Sequence, residues 1–559
     1  MVHCSTGTRG GRLESRFDDV LREDYFAYEE ITELLIFLAK KRARKNNVPL
    51  RKSLFPHVSP YVIFRLYDGK GDSRALPKVI ADHLTWELGA GTPWIVRKTV
   101  ENSGFRFVSG REKWCGTWSE SKFAISYKVL KSHQKMNHFP GTYEIGHKDR
   151  LWKNVSRLMS IFGKKQFGFI PRTFILPEEF DRLRCVWETR RTGNKWILKP
   201  PASSRGRGVS VVSRWTQIPR KRSSTLIQRY LSRPKLINDS KFDIRVYALV
   251  TDFDPLKIYI YEEGLVRFAC VSYDRSDLTQ LGNRFMHLTN YSVNKFCPDY
   301  VNNDTVGERK GHKWSLKCLW DYLGEQKADV AGLKSKIHDI IVKAIIAGEA
   351  SVNCFSRVHL NSKHSCFELL GVDILIDEDM RPWLLEVNIS PSLHAPSALD
   401  LAVKGHLVKD ALNVAGFRIP PITPSGTVRK KAAKLGLDLA CPDVHAGERE
   451  LTIKEKRKQT DFMYRTLDRG DSSNGPESII HRLTPDDVRC LVRYEDEISR
   501  LGKFQRVFPT PETHKYFRYF EGPRYYNMLL SAWEIAHGND RQSGIIKLRD
   551  LCDRKFHLR

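Results

Sequence analysis

One stretch constrains the fold more than any other: residues 371–393, GVDILIDEDMRPWLLEVNISPSL. It reads as two strands joined by a tight turn at Asp377–Pro382. Asp373 and Glu386 each lie in an otherwise apolar run. A charge buried in such a run needs a counter-ion. Folding the hairpin about Asp379 and Met380 sets Asp373 roughly opposite Glu386. Glu386 and Asn388 are two apart and project from one face, with Trp383, Leu385 and Val387 on the other. Two carboxylates and an amide oxygen then converge, a hard-oxygen set suited to Mg²⁺. The spacing alone also fits acidic residues facing solvent and an ordinary Asn-Ile-Ser-Pro turn.

The surrounding chain supports a sheet-rich core. WILKPP, VSVVS, TLIQRYL, FDIRVYALVTD, KIYIYEEGLVRFACV and FELLGVDILID are all strand-like runs beyond residue 196. One helix is expected over about 331–350, with Leu333, Ile337, Ile341 and Ile345 on a stripe. An α+β architecture with antiparallel sheets follows. Upstream, VSPYVIFRLYD alternates like a strand. A helix enters at about Asp149, with Leu151, Val155, Leu158 and Phe162 at helical spacing, and FGFIPRTFILP reads as a short strand. The proline-rich joint RIPPITPSG places a boundary near residue 419, followed by a charged, helix-prone appendage. The expected units are a polar basic segment 1–55, then 56–195, 196–280, 281–418 and the basic extension 419–559.

The 559 residues carry 93 Lys+Arg against 65 Asp+Glu, a formal net charge of +28, which calls for a polyanionic partner. Nucleic acid, acidic membrane and acidic protein all satisfy that demand. The chain has no apolar run long enough to span a bilayer, no leader-like start and no lipidation box. The 11 cysteines are scattered without a CxxC pair, against both a disulfide framework and a zinc site. A reduced, cytosolic protein is the expectation.

Walker A, GxSxG and HExxH sequences are absent. Four other segments carry candidate chemistry. In WILKPPASSRGRGVSVV, Lys199 ends a strand before a Ser/Gly/Arg loop whose N–H groups, with Lys199 and Arg205, suit phosphates; a plain hairpin fits as well. In TLIQRYLSRP the backbone of Gln228 to Leu231 could pair with an adenine edge. In SKFDIRVYALV, Lys241, Asp243 and Arg245 alternate on one face, either solvated or lining a cleft. RFMHLTNYSVNK gathers His287, Thr289, Asn290, Tyr291 and Ser292 without periodicity, as a functional loop or a capping turn.

Taken in order, the Lys–Gly loop, QRYL, KFDIR, HLTNYS and D…EVN resemble the tubulin tyrosine ligase-like family of ATP-grasp ligases over about residues 57–417. NHFPGTYEIGHKDRLWKN and GHKWSLKCLW resemble its polyglutamylases, in particular the branch of family member four. The resemblance implies an ATP-grasp fold of N-terminal, central and C-terminal lobes with a C-terminal helical extension. It implies ATP and Mg²⁺ as cofactors and tubulin C-terminal tails and free L-glutamate as partners. No nucleic acid or membrane is called for, and a cytoplasmic monomer on microtubules, in the general array, cilium or basal body, is expected.

The roles carry over by position. Lys199, Arg205 and Gly206 would hold phosphates; Gln228, Arg229, Tyr230 and Leu231 would line the adenine. Lys241, Phe242 and Asp243 would contact adenine and ribose, and Thr289 and Asn290 the ribose or phosphates. Asp373, Glu386 and Asn388 would bind Mg²⁺, with Arg205, Arg245 and Glu386 at the reacting groups. Arg267, Tyr291, Ser292 and Lys313 would recognise the incoming glutamate. The basic residues Arg429, Lys430, Lys431, Lys434, Lys454, Lys456, Arg457 and Lys458 suit a microtubule contact or a solvated helix. The competing readings are a family ligase using glycine or tyrosine, one acting on non-tubulin acidic proteins, and a non-catalytic binder of microtubules or RNA. The member-four resemblance leans towards initiation on β-tubulin.

Overall fold

The computed structural model describes residues 50–68, 84–89, 91–109, 114–119, 127–189, 195–202, 206–219, 224–274, 279–418, 450–469 and 477–559. Arg205 and the cations at 429–434 lie outside them. Two antiparallel sheets form the centre. The smaller comprises β1 (Thr173–Leu176), β2 (Trp196–Lys199), β3 (Ser210–Val212) and β4 (Thr225–Arg229), in the order β1-β4-β2-β3.

The larger sheet is built on β5 (Ser240–Phe253) and β6 (Leu256–Phe268), the two longest strands. β7 (Lys313–Ser315), β8 (Glu368–Ile376) and β9 (Pro382–Asn388) complete the path β7-β6-β5-β8-β9. These strands are rich in Val, Ile, Leu and Tyr, and β5 is buried along almost its whole length. A helix covers each face. α1 (Lys148–Phe162) buries Leu151, Val155 and Leu158, and α2 (Val330–His359) buries the expected stripe of Leu333, Ile337, Ile341 and Ile345. Both lie in one apolar cluster with Val246, Ala248, Ile258 and Ile374. On the opposite face, α3 (Ala398–Ala415) packs Leu407, Ala411 and Leu412 against Tyr247, Leu249 and Tyr259.

Three features depart from the sequence reading. VSPYVIFRLYD contributes only the two-residue strand Tyr61–Val62. Beyond it the backbone pairs with the end of α3 instead, Phe64 N–H donating to Asn413 Oδ1 at 2.8 Å. Not every sheet is antiparallel: Thr85–Leu88, Arg106–Val108, Gly116–Trp118 and Lys135–Met136 form a four-stranded parallel one.

The residues after the proline-rich joint are also no detached appendage. Phe504–Phe508 (β10) pairs antiparallel with β6. Glu497, from the helix Pro485–Ile498, accepts hydrogen bonds from Lys257 Nζ (2.7 Å), Tyr259 Oη (2.6 Å) and Thr251 Oγ1 (2.5 Å). The aromatic stretch 518–534 packs inward, Tyr519 lying edge-on to Phe162 and Phe167. No disulfide forms among the described residues. None of the described helices is long and apolar enough to cross a membrane.

Candidate active site

The register of the larger sheet assembles an ionic ladder. Asp243 on β5 stands opposite Arg267 on β6, Arg245 opposite Asp373 on β8, and Asp373 opposite Glu386 on β9. Alternation along β5 turns Lys241, Asp243 and Arg245 to one face and Phe242 and Ile244 to the other. Phe242, expected at the adenine and ribose, is core instead: its side chain lies 5.7 Å from the Phe268 ring and does not line the cleft. Arg245 forks onto Asp373, with Nε to Oδ1 at 2.5 Å and a second N–H to Oδ2 at 3.0 Å. Arg267 bridges Asp243 (2.7 and 2.5 Å) and Asp373 (2.9 Å), and Thr289 Oγ1 donates to Asp243 at 2.7 Å.

Burial opposes ionisation of Asp373, but Arg245 and Arg267 outweigh it and hold its carboxyl well below the usual range. For Asp243, burial wins over Arg267 and pushes the carboxyl up. Such forked, charge-assisted pairs fix geometry as well as charge.

A cleft of about 810 Å³ opens between the two sheets. The smaller sheet contributes Ile197, Lys199 and Gln228; the larger contributes Lys241, Asp243, Asp373, Leu375, Leu385 and Glu386. Gly206, Arg229, Tyr230, Leu231, Thr289 and Asn290 complete it. Lys199 Nζ donates to Gln228 Oε1 at 2.7 Å, and burial lowers its pKa to about 8 against the pull of Glu386. Lys241 Nζ donates to Tyr230 Oη (3.1 Å) and to the His287 carbonyl (3.0 Å), and burial lowers it to about 7. Burial and Lys241 lower His287 to about 4, so its neutral ring accepts from Tyr230 Oη at Nδ1 and donates from Nε2 to the Gln280 carbonyl. Arg229 and Tyr230 already spend their N–H groups on the carbonyls of Arg172 and Lys195.

The structure adds residues that the sequence reading missed. Lys148, at the start of α1, pairs with Glu386 at 2.9 Å and faces the cleft. Its only sequence signal is its place in GHKDR. Leu385 was expected opposite Glu386, yet both line the cleft, because the β8–β9 pairing shifts register between Asp373 and Ile374. That bulge leaves Leu384 and Val387 buried instead.

Several expected residues sit beside the cleft rather than in it. Lys313 is buried and paired with Asp400 at 2.7 Å, its ammonium 4.4 Å from the Tyr291 ring. Asp400 also holds Lys404 at 2.7 Å. Arg267 lies opposite Lys313 in the β6–β7 register, so Arg267, Lys313 and Tyr291 gather in a second polar region. Ser292 instead faces a separate groove with Arg207, Arg284 and Lys295.

The hard-oxygen set fits Mg²⁺ in part. Asp373 and Glu386 are cross-strand neighbours, and Asn388 Nδ2 donates to Glu386 Oε1 at 3.3 Å. A carboxylate offers about four lone-pair sites, and Arg245 and Arg267 occupy three on Asp373. Glu386, half-buried and carrying one lysine, is the better-presented ligand. No group of three or more His, Cys, Asp or Glu placed to hold a metal exists among the described residues.

The sequence profile of the tubulin-tyrosine ligase family matches residues 127–425. The chain belongs to the tubulin-tyrosine ligase family. It is 42% identical over 90% of its length to human tubulin monoglutamylase TTLL4, of which it covers 42%. It is 38% identical over 93% of its length to tubulin polyglutamylase ttll-4 of Caenorhabditis elegans, covering 83% of that chain. It is 36% identical over 80% of its length to human tubulin polyglutamylase TTLL5. The chain thus spans about two fifths of the length of the human and mouse TTLL4 relatives it matches.

Proposed function

We propose that this chain is an ATP-dependent tubulin glutamylase with an ATP-grasp arrangement of three lobes. The reaction would join free L-glutamate through an isopeptide bond to a glutamate of an acidic tubulin tail. The acceptor γ-carboxylate oxygen attacks the ATP γ-phosphorus and ADP departs, leaving an acyl phosphate. The α-amine of glutamate then attacks the acyl carbon, losing a proton as phosphate leaves. The observation that carries this reading is the cleft between two sheets where Lys148, Lys199 and Lys241 meet Asp373 and Glu386.

Acceptor, nucleotide and glutamate are all anions, and gathering them in a low-dielectric cleft requires fixed cations. Lys199 and Lys148 would hold phosphates, with Arg205 in the same role. Gly206 suits the loop because its φ of 69° disfavours a side chain and a Cβ would come 3.2 Å from Asn290 Oδ1. Leu231 is favoured over Arg229 and Tyr230 for the adenine edge, because their N–H groups are spent. Glu386, Asn388 and the remaining lone pair of Asp373 would hold Mg²⁺, which supplies charge neutralisation to the triphosphate when bound. Arg267, Tyr291 and Lys313 would read the incoming glutamate, since two fixed cations suit its two carboxylates. The monoglutamylase name of the human relative supports initiation, and β-tubulin is kept as the favoured acceptor. The exposed cations Lys454, Lys456 and Arg457 on Ile453–Arg469 would contact the microtubule, placing the protein on the cytoskeleton.

The test is mass spectrometry of unmodified microtubules incubated with the purified chain, Mg-ATP and glutamate, glycine or tyrosine in turn. Glutamate-sized additions on a tail are expected. Additions only with glycine or tyrosine would overturn the donor, and none with any of them would leave a ligase for a non-tubulin acceptor or a binding protein.

A further inference from the structure

The polar region around Lys313 carries a charge imbalance. Asp400, in the first turn of α3, is fully buried. The N-cap Ser397 Oγ accepts from its N–H at 3.1 Å and donates to its Oδ2 at 3.0 Å, which fixes the carboxylate at the helix start. One turn on, Lys404 Nζ lies 2.7 Å from Oδ1, and Lys313 Nζ on β7 donates to Oδ2 at 2.7 Å. Both lysines are buried. Neither pairs with another acid among the described residues. Lys404 also donates to the His394 carbonyl, which brings no charge.

Two buried ammonium groups thus share one carboxylate, which leaves one positive charge over. The neighbouring ladder does not absorb it, because Arg245 and Arg267 are matched by Asp373 and Asp243. Burial opposes ionisation of Asp400, but Lys404 and Lys313 outweigh it and hold its carboxyl below the usual range. Burial lowers the pKa of both lysines, against the pull of Asp400. A second carboxylate arriving beside them would favour their charged forms and complete the count. Lys313 is the member placed to meet it: it stands opposite Arg267 in the β6–β7 register, with its ammonium 4.4 Å from the Tyr291 ring. Lys404 is turned to Asp400 and the His394 carbonyl, so it acts through Asp400.

We propose that Lys404 is a positioning residue that sets the charge of the donor subsite: by sharing Asp400 it leaves Lys313 a positive charge to spend on the side-chain carboxylate of the incoming amino acid. The proposal rests on the ligase reading and adds what makes its donor subsite select an acidic side chain. Without Lys404, Lys313 and Asp400 would form a closed, neutral pair. A carboxylate entering beside that pair would lose its water and meet no net charge in return.

The test is calorimetric titration of glutamate onto the full chain saturated with a non-hydrolysable ATP analogue. Lys404→Met removes the charge and keeps most of the side-chain length. It is expected to weaken glutamate about tenfold and to leave affinity for the ATP analogue, which reports an intact fold, within about twofold. Combining Lys404→Met with Asp400→Asn restores a single positive charge on Lys313, and glutamate affinity should return to within about threefold of the wild type. In turnover, Lys404→Met should raise KM for glutamate about tenfold and leave kcat and KM for ATP nearly unaltered. A merely structural role for Lys404 requires the double variant to bind no better than the single one, and that result would overturn the proposal. So would a wild-type-like glutamate affinity in Lys404→Met, or a wild type that binds no glutamate. A protein that binds glutamate through Lys404 yet transfers none to tubulin would uphold the subsite and sink the ligase reading instead.

Discussion

Lys199 is a half-buried lysine whose charge waits for an anion. Its pKa of about 8 arises from burial, opposed by Glu386. A triphosphate beside it favours the charged form and returns it towards about 10.4, the ordinary lysine value. The bound state then holds more protons than the free one, so affinity is full below pH 8 and falls as pH rises. At pH 8 the free protein carries about half a proton on Lys199, so binding takes up about 0.5 proton at this position. Between pH 7 and 9 the charged fraction falls roughly tenfold, worth about 1.4 kcal/mol of binding. Lys199→Arg keeps a cation that does not titrate there. Lys241 titrates in both proteins, and the charge at position 199 acts on it after burial and Asp243, so the difference between them reports mainly Lys199. The assay is calorimetric titration with a non-hydrolysable ATP analogue at pH 8, in buffers of different ionisation enthalpy. The wild type should take up about 0.5 proton more than Lys199→Arg, and its affinity should fall about tenfold more steeply from pH 7 to 9. Equal uptake by both would show that Lys199 is already charged, or that phosphates bind elsewhere.

Three further outcomes are expected. Glu386→Gln should lower turnover by about 10²-fold or more while moving the thermal midpoint by no more than about 2 °C, because its pair with Lys148 is part-exposed. It is a cleaner probe than Asp373→Ala, which would take the carboxylate from the buried Arg245 and leave Arg267 on Asp243 alone. Glu497→Ala should cost about 3–5 kcal/mol in urea unfolding, because Lys257, Tyr259 and Thr251 all lose their acceptor; an unchanged midpoint would remove the helix Pro485–Ile498 from the core. Gly264→Ala should cost about 1–3 kcal/mol and slow turnover, since a Cβ there would lie 2.3 Å from the Arg245 carbonyl and push β5 aside; normal activity and stability would show that this crossing yields freely.

Much was legible from periodicity. Apart from β7 and β10, the strands of both sheets, the stripe on α2 and the pairing of Asp373 with Glu386 follow from local pattern. Alternation in KFDIR likewise sends Lys241 and Asp243 to the cleft, and assigning Phe242 with them overlooked that same rule. The parallel N-terminal sheet escaped notice because its strands are two to four residues long, too short for alternation to register. Lys148 escaped because its partner Glu386 is more than 200 residues away in the chain.

What the sequence determined by itself is therefore the set of elements and the chemistry carried on each, since side-chain direction along a strand or helix is a local property. The tertiary structure alone decided which charges neutralise one another. Cross-strand register handed Asp373 to Arg245 and Arg267, burial under α3 handed Lys313 to Asp400, and a single bulge turned Leu385 into the cleft. Pairing of this kind is fixed by distance and desolvation in three dimensions, and no spacing along the chain encodes it.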